Sequence, residues 1–201
     1  MESSILLFFG SFNPIHRGHL AIARWLVEQS LCDEVWMVVS PGNPLKSADV
    51  LAAAEHRLEM VRRAVAAAGL GERVKVCDVE FSMPRPSYTI DTLELLRRTY
   101  PDRRFALLVG SDIVGELEKW KDYRKLLDNF PVLVYPRPGY PVEGPMVQRV
   151  KVLEGVPVWN CSSTEVRKSI REGKAEQMLT PEVADYIEEH NLWIENSLST
   201  K

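Results

Sequence analysis

Apolar positions along this chain fall into short runs and helical stripes that alternate with one another. Ile5 to Phe9 is an unbroken apolar run closed by Gly10, the pattern of a strand buried in a parallel sheet. Leu20, Ala23 and Val27 then recur at the spacing of one helix face. Glu34 to Ser40 reads as a second strand, ended by the turn Pro41-Gly42-Asn43-Pro44. From about Ala53 to Ala68 the residues Leu58, Val61, Val65 and Ala68 share a helix face, and Gly69 stops the run. Arg73 to Asp78 alternates as a third strand. The prolines between Ser82 and Pro86 impose a loop before a helix that runs to about Thr99. Arg104 to Val109 and Phe130 to Tyr135 read as the fourth and fifth strands. The proline-rich stretch from Pro136 to Gly155 predicts a long ordered loop with one short strand near Val150 to Leu153. Val156 to Trp159 reads as the last strand, and Thr180-Pro181 opens a packing helix that ends near His190. Strands alternating with helices predict an α/β fold: a doubly wound, mostly parallel sheet of about five to six strands with helices on both faces. The whole chain, 1–201, reads as a single domain.

Composition narrows the functional classes. The chain is 45% hydrophobic and 26% charged with a formal net charge of -3, which suits a globular protein and argues against a nucleic-acid partner. The N-terminal apolar run is too short for a signal sequence or a membrane span, so a cytoplasmic setting with no membrane partner is expected. Cys32, Cys77 and Cys161 are odd in number and widely spaced, the usage of reduced packing thiols. Any phosphate recognition must therefore be local.

Several turns carry residues suited to that chemistry. Gly10-Ser11-Phe12-Asn13-Pro14-Ile15-His16-Arg17-Gly18-His19 lies between the first strand and the first helix, where unpaired N–H groups and a partial positive charge favour phosphate. Gly10 and Gly18 would let backbone come close to a ligand where a Cβ would collide. His16 and His19 are three apart, so in the first helical turn they point to one side and would face one anion. A metal pair is the weaker reading, because no Glu stands between them as in zinc proteases and no Cys is adjacent. Lys46 follows the carboxyl end of the second strand, the edge where doubly wound sheets bind ligands. Gly110-Ser111-Asp112 repeats that placement after the fourth strand, with Asp112 either capping a helix or accepting a ribose hydroxyl. Thr89 reads as an N-cap. Trp120, among charged neighbours, is either core or the border of a pocket. Arg137 sits in a Pro-Arg-Pro-Gly turn at the end of the fifth strand. Ser162 and Glu165 form a capping box, and Ser163, Thr164 and Arg167 crowd the same helix start, which suits a polyphosphate.

The segment from Gly10 to His19 resembles the signature of the HxGH nucleotidyltransferases, and Ser162-Ser163-Thr164-Glu165-Val166-Arg167 resembles their second signature, which binds the triphosphate tail. Pro86-Ser87-Tyr88-Thr89 and the Gly110-x-Asp112 segment followed by Trp120 resemble one branch, the nicotinate mononucleotide adenylyltransferases. The resemblance spans Gly10 to Arg167 and implies a Rossmann-like fold, ATP and nicotinate mononucleotide as substrates, and Mg²⁺ held mainly by phosphates and water rather than by protein side chains. It implies catalytic roles for His16, His19, Lys46 and Arg167. It assigns Gly10, Ser11, Phe12, Gly18, Gly110, Asp112, Ser162, Ser163 and Thr164 to ATP, and Asn13, Tyr88, Thr89, Trp120 and Arg137 to the mononucleotide. Asn13 stands where the bacterial pattern commonly has aspartate, and Ser11 where it has glycine or threonine.

The chemistry implied needs no Ser/His or Cys/His nucleophile, because a phosphate oxygen is already ionised above its second pKa of about 6. It needs in-line positioning and positive charge around the α-phosphoryl group. Preference for the amide mononucleotide, transfer to phosphopantetheine, and a non-catalytic nucleotide sensor are the alternatives. Oligomeric state is not set by the sequence, a homo-oligomer included.

Overall fold

The computed structural model describes residues 3–42 and 51–194. Lys46 lies outside the described residues. Strands β1 (Ser3–Gly10), β2 (Glu34–Val39), β3 (Val74–Cys77), β4 (Arg103–Gly110), β5 (Val132–Tyr135) and β6 (Lys151–Val152) form one sheet among the described residues. Its order is β3-β2-β1-β4-β5-β6, and every pairing is parallel. Helices α1 (Arg17–Glu28), α2 (Ala54–Ala67), α3 (Thr89–Thr99), α4 (Ser111–Val114), α5 (Tyr123–Asn129), α6 (Ser163–Arg171) and α7 (Pro181–Glu189) complete the architecture.

Alternation along β1 sorts the core into two layers. Leu6 and Phe8 face one side, where they join Leu20, Ala23 and Val27 of α1, Val61 and Val65 of α2, Val166 of α6 and Val183 of α7. Ile5 and Leu7 face the other, with Ile90, Leu93 and Leu96 of α3 and Leu126 of α5. Helices thus cover both faces, as a buried parallel sheet requires. The order reverses between β1 and β4, whose carboxyl ends, Gly10 and Gly110, border the crevice where such sheets bind ligands.

Four sequence expectations are corrected. Val156 to Trp159 is no strand: Pro157 has no N–H to give a ladder, and although Val156 is buried, Val158 is 64% and Trp159 41% exposed. Thr89 is the first residue of α3 rather than its cap, because Tyr88 holds the extended cap conformation, φ -119° and ψ 143°. Asp112 lies inside α4, with Gly110 at the cap position, so capping is not its role. The helix expected behind it is split into α4, a 3-10 turn at Leu117–Lys119, and α5.

Candidate active site

His16 and His19 meet at the start of α1. His16 occupies the cap position in extended backbone, its N–H donates to Nδ1 of His19 at 3.2 Å, and the ring centroids are 3.7 Å apart. Burial, with Arg137 adding to it, lowers the His16 pKa to about 4, so the ring is a neutral imidazole near pH 7. Its Nδ1 is buried without a hydrogen-bond partner. Of the two histidines expected to face one anion, His16 thus offers a hydrogen-bonding ring rather than a charge.

The glycines of this segment serve the chain itself. A Cβ on Gly10 would meet the Phe12 ring at 2.8 Å, and one on Gly18 would meet His16 Nδ1 at 3.0 Å and Trp159 Cβ at 3.1 Å. At both positions side chains of the chain itself already come this close to the backbone. Phe12, expected at the nucleotide, has its ring in the core, edge-on to His19 at 5.1 Å and to Phe8 at 5.8 Å. Its φ of +43° is uncommon for a non-glycine residue. Asn13, expected at the mononucleotide, is buried, and its Oδ1 accepts the N–H of Ala52 at 3.0 Å.

The start of α6 lies against this segment. Ser163 Oγ donates to the Pro14 carbonyl at 3.0 Å, and Arg167 Nη1 donates to the Asn13 carbonyl at 2.7 Å. Arg167 Nη2 reaches Thr164 Oγ1 at 3.2 Å, and burial lowers the pKa of its guanidinium. Ser162 is consumed by the capping box: both its N–H and its Oγ donate to Glu165 Oε2, at 2.7 and 2.8 Å. All three hydroxyls expected to face phosphate thus have partners within the chain, Ser162 and Ser163 as donors and Thr164 as an acceptor.

At the end of β4, Arg137 Nη1 pairs with Asp112 Oδ2 at 2.8 Å, and Arg137 N–H donates to Ser111 Oγ at 2.8 Å. Asp112 Oδ1 is buried without a partner, an acceptor suited to a hydroxyl. A Cβ on Gly110 would strike that oxygen. Tyr88 and Thr89 are joined to the Trp120 segment by Lys121, whose Nζ donates to both Asp91 carboxylate oxygens and lies 4.9 Å from the Tyr88 ring centroid. Trp120 is half-buried against the α3 and α5 core.

Two buried charged residues that brace these loops escaped the sequence reading. Arg57 sends four hydrogen bonds to main-chain carbonyls around the ends of β1 and β2. Its one signal is position, since Arg57, Val61 and Val65 fall on one helix face. Glu80 accepts hydroxyl hydrogen bonds from Ser87 at 3.1 Å and Thr92 at 2.8 Å, bracing the Tyr88–Thr89 loop from below. Nothing local marks it. Among the described residues no group of three or more His, Cys, Asp or Glu could hold a metal ion, and no helix is long and apolar enough to cross a membrane.

Residues 7–169 match a family model described as cytidylyltransferase-like. The chain is 40% identical over 191 residues to a probable nicotinate-nucleotide adenylyltransferase of Flavobacterium johnsoniae, covering 93% of this chain and 97% of that one. It is 41% identical over 186 residues to a protein of the same description in Bacteroides thetaiotaomicron, covering 92% and 90%. Among solved structures it is similar to the nicotinic acid mononucleotide adenylyltransferase of Plasmodium falciparum complexed with NaAD. There the TM-score is 0.78 at 20% identity, over 95% of this chain and 97% of that one.

Proposed function

From the premise that the chain belongs to the cytidylyltransferase-like family and, within it, to the nicotinate-nucleotide adenylyltransferases, we propose that it transfers AMP from ATP to nicotinate mononucleotide. The products are nicotinate adenine dinucleotide and pyrophosphate, in a step of NAD biosynthesis. The observation that carries this reading is the contact between two helix starts far apart in sequence, made by Ser163 on Pro14 and Arg167 on Asn13. It gathers His16, His19, Thr164 and Arg167 at one sheet edge, beside the crevice between β1 and β4.

An ionised phosphate oxygen of the mononucleotide attacks the α-phosphorus of ATP in line. A new P–O bond forms as the bond to pyrophosphate breaks, and no proton has to be removed from the nucleophile. His16 and His19 hydrogen-bond the α-phosphoryl oxygens, His16 as a neutral imidazole. Arg167, with Thr164 and the N–H groups of α6, takes the β- and γ-phosphates. Lys46 supplies further charge to the transition state. Asp112 accepts a ribose hydroxyl through its unpartnered Oδ1 while Arg137 holds the other oxygen. Tyr88, Thr89 and Trp120 hold the pyridine, with Trp120 as the stacking surface. ATP enters as its Mg²⁺ complex, the cation bound mainly by phosphate oxygens and water.

Pyrophosphate release is the test, with ATP and Mg²⁺ and equal concentrations of nicotinate mononucleotide, its amide counterpart, or phosphopantetheine. Release with the nicotinate form alone is expected. Release with the amide would reassign specificity, and release with neither pyridine would overturn the roles given to Thr89 and Trp120.

A further inference from the structure

Arg57 is 1% exposed, and its hydrogen bonds all run to backbone oxygens. Nη1 donates to the carbonyls of Ser11 at 2.6 Å and Ser40 at 2.7 Å, Nη2 to Pro41 at 2.7 Å, and Nε to Ala52 at 2.9 Å. Burial lowers its pKa to about 10, which leaves it charged at neutral pH. One planar cation thus fixes the chain just beyond β1, just beyond β2, and just ahead of α2.

The fixation has a direction. In a trans peptide the carbonyl and the following N–H point opposite ways, so turning the Ser11 carbonyl onto Arg57 turns the Phe12 N–H away from it. Holding Pro41 does the same for Gly42. The Ser11–Phe12 unit is also where the backbone enters the left-handed region, φ +43° at Phe12. That conformation carries the Phe12 ring under His19, edge-on at 5.1 Å. A continuous path of contacts therefore leads from Arg57 through the Ser11 carbonyl and the Phe12 ring to His19.

We propose that Arg57 is a positioning residue for the phosphate-binding edge, setting the His19 ring through Ser11 and Phe12 without touching substrate. Arg73 provides the contrast at the opposite edge of the sheet. It also binds three carbonyls, of Val27, Cys32 and Asp33 at 2.6, 2.8 and 3.0 Å, but these join α1 to β2 far from His19. Arg73 staples the fold, whereas Arg57 staples it and aims a side chain.

The proposal rests on the adenylyl-transfer reading for its kinetic arm only. Arg57→Lys keeps a charge but cannot serve four carbonyls in several directions. In steady-state pyrophosphate release its kcat should fall by about 10²-fold, with KM for ATP and mononucleotide within about threefold of the parent. Arg73→Lys should lower melting temperature while leaving kcat per folded molecule intact. The second arm reads the imidazoles directly. The chain has 4 histidines, so ring resonances in a ¹⁵N-resolved spectrum are few enough to follow one by one. Arg57→Lys should move those of His19 and leave His190 in place. Should Arg57→Lys fail to fold, Phe12→Leu decides through kcat alone, because losing the ring current shifts the His19 resonances in any case; it keeps apolar burial, removes the ring edge and should lower kcat likewise. A Phe12→Leu kcat within about threefold of the parent, or unmoved His19 resonances in a folded Arg57→Lys with kcat within about threefold of the parent, would overturn the proposal. A parent protein that releases no pyrophosphate would refute the functional reading and leave the spectroscopic arm able to decide on Arg57.

Discussion

Arg167 donates a 2.7 Å hydrogen bond to the carbonyl of Asn13, a residue 154 positions earlier in the chain. This contact fixes α6 against the turn that precedes α1, so the two helix starts lie side by side.

That double duty makes arginine specific at 167. A guanidinium has five N–H donors, and Arg167 commits some of them to Asn13 and Thr164 while others remain for phosphate oxygens. Arg167→Lys must choose between these tasks. We expect kcat/KM for ATP to fall by about 10²-fold while KM for the mononucleotide stays near its parent value. Pyrophosphate release at varied ATP checks this, and a lysine variant as efficient as the parent would remove Arg167 from the triphosphate site.

His19 stands between the neutral His16 and the Phe12 ring, with its own ring half-buried. On the proposed reading its removal deletes a transition-state contact, together with the acceptor of the His16 N–H and the contact with Phe12. His19→Ala should lower turnover per folded molecule by about two or more orders of magnitude. Normal turnover in a folded variant would sink the assignment.

How much of this was legible follows the range of the interactions. The segment from Gly10 to His19 is a strand, a turn and a helix start in unbroken order, so local rules locate it, and the Ser162–Glu165 box is likewise local. The parallel strands read correctly because burial on both faces leaves continuous apolar runs. Arg57 and Glu80 were missed because their meaning lies in partners brought near by the fold, such as Ser11 for the first and Thr92 for the second. Val156 to Trp159 was misread because an apolar run around Pro157 resembles a strand, yet its Trp159 borders Gly18 at the site rim instead. Phe12 and Asn13, expected at ATP and at the mononucleotide, have buried side chains, one packed edge-on to His19 and the other accepting the Ala52 N–H, partners that only the fold brings near.

Glu80 gives a prediction that separates the two substrates. Each carboxylate oxygen accepts one hydroxyl, from Ser87 and from Thr92, and those residues flank Tyr88 and Thr89. Glu80→Gln keeps one acceptor oxygen, while Glu80→Ala keeps none and leaves Thr92 to rearrange. The KM for the mononucleotide should rise in the order Glu, Gln, Ala, by about tenfold at Ala, with KM for ATP unchanged. Equal increases for both substrates would show that Glu80 supports the fold generally and not the mononucleotide loop.

Buried and neutral, His16 makes stability depend on pH in a window its own shift defines. Its pKa is about 4 in the folded protein against 6.5 for a free side chain, so between those values the unfolded chain binds a proton that the folded chain does not. Stability must then rise with pH across that window, by about 1.4 kcal/mol per pH unit and roughly 3 kcal/mol in all, and be independent of this group above it. Other groups add to the pH profile, Asp33 below this window because hydrogen bonds from Ser4 hold its pKa down. They remain in a His16→Asn variant, so the difference between variant and parent isolates the histidine. Urea unfolding at intervals from pH 7.5 down to about pH 4.5 should show the parent losing stability faster than His16→Asn below about pH 6.5, with parallel profiles above it. Profiles that stay parallel through the whole range would mean that His16 carries a proton in the folded protein as readily as in the unfolded chain. It would then face the α-phosphoryl group partly as a cation near neutral pH and not solely as the neutral ring assigned to it.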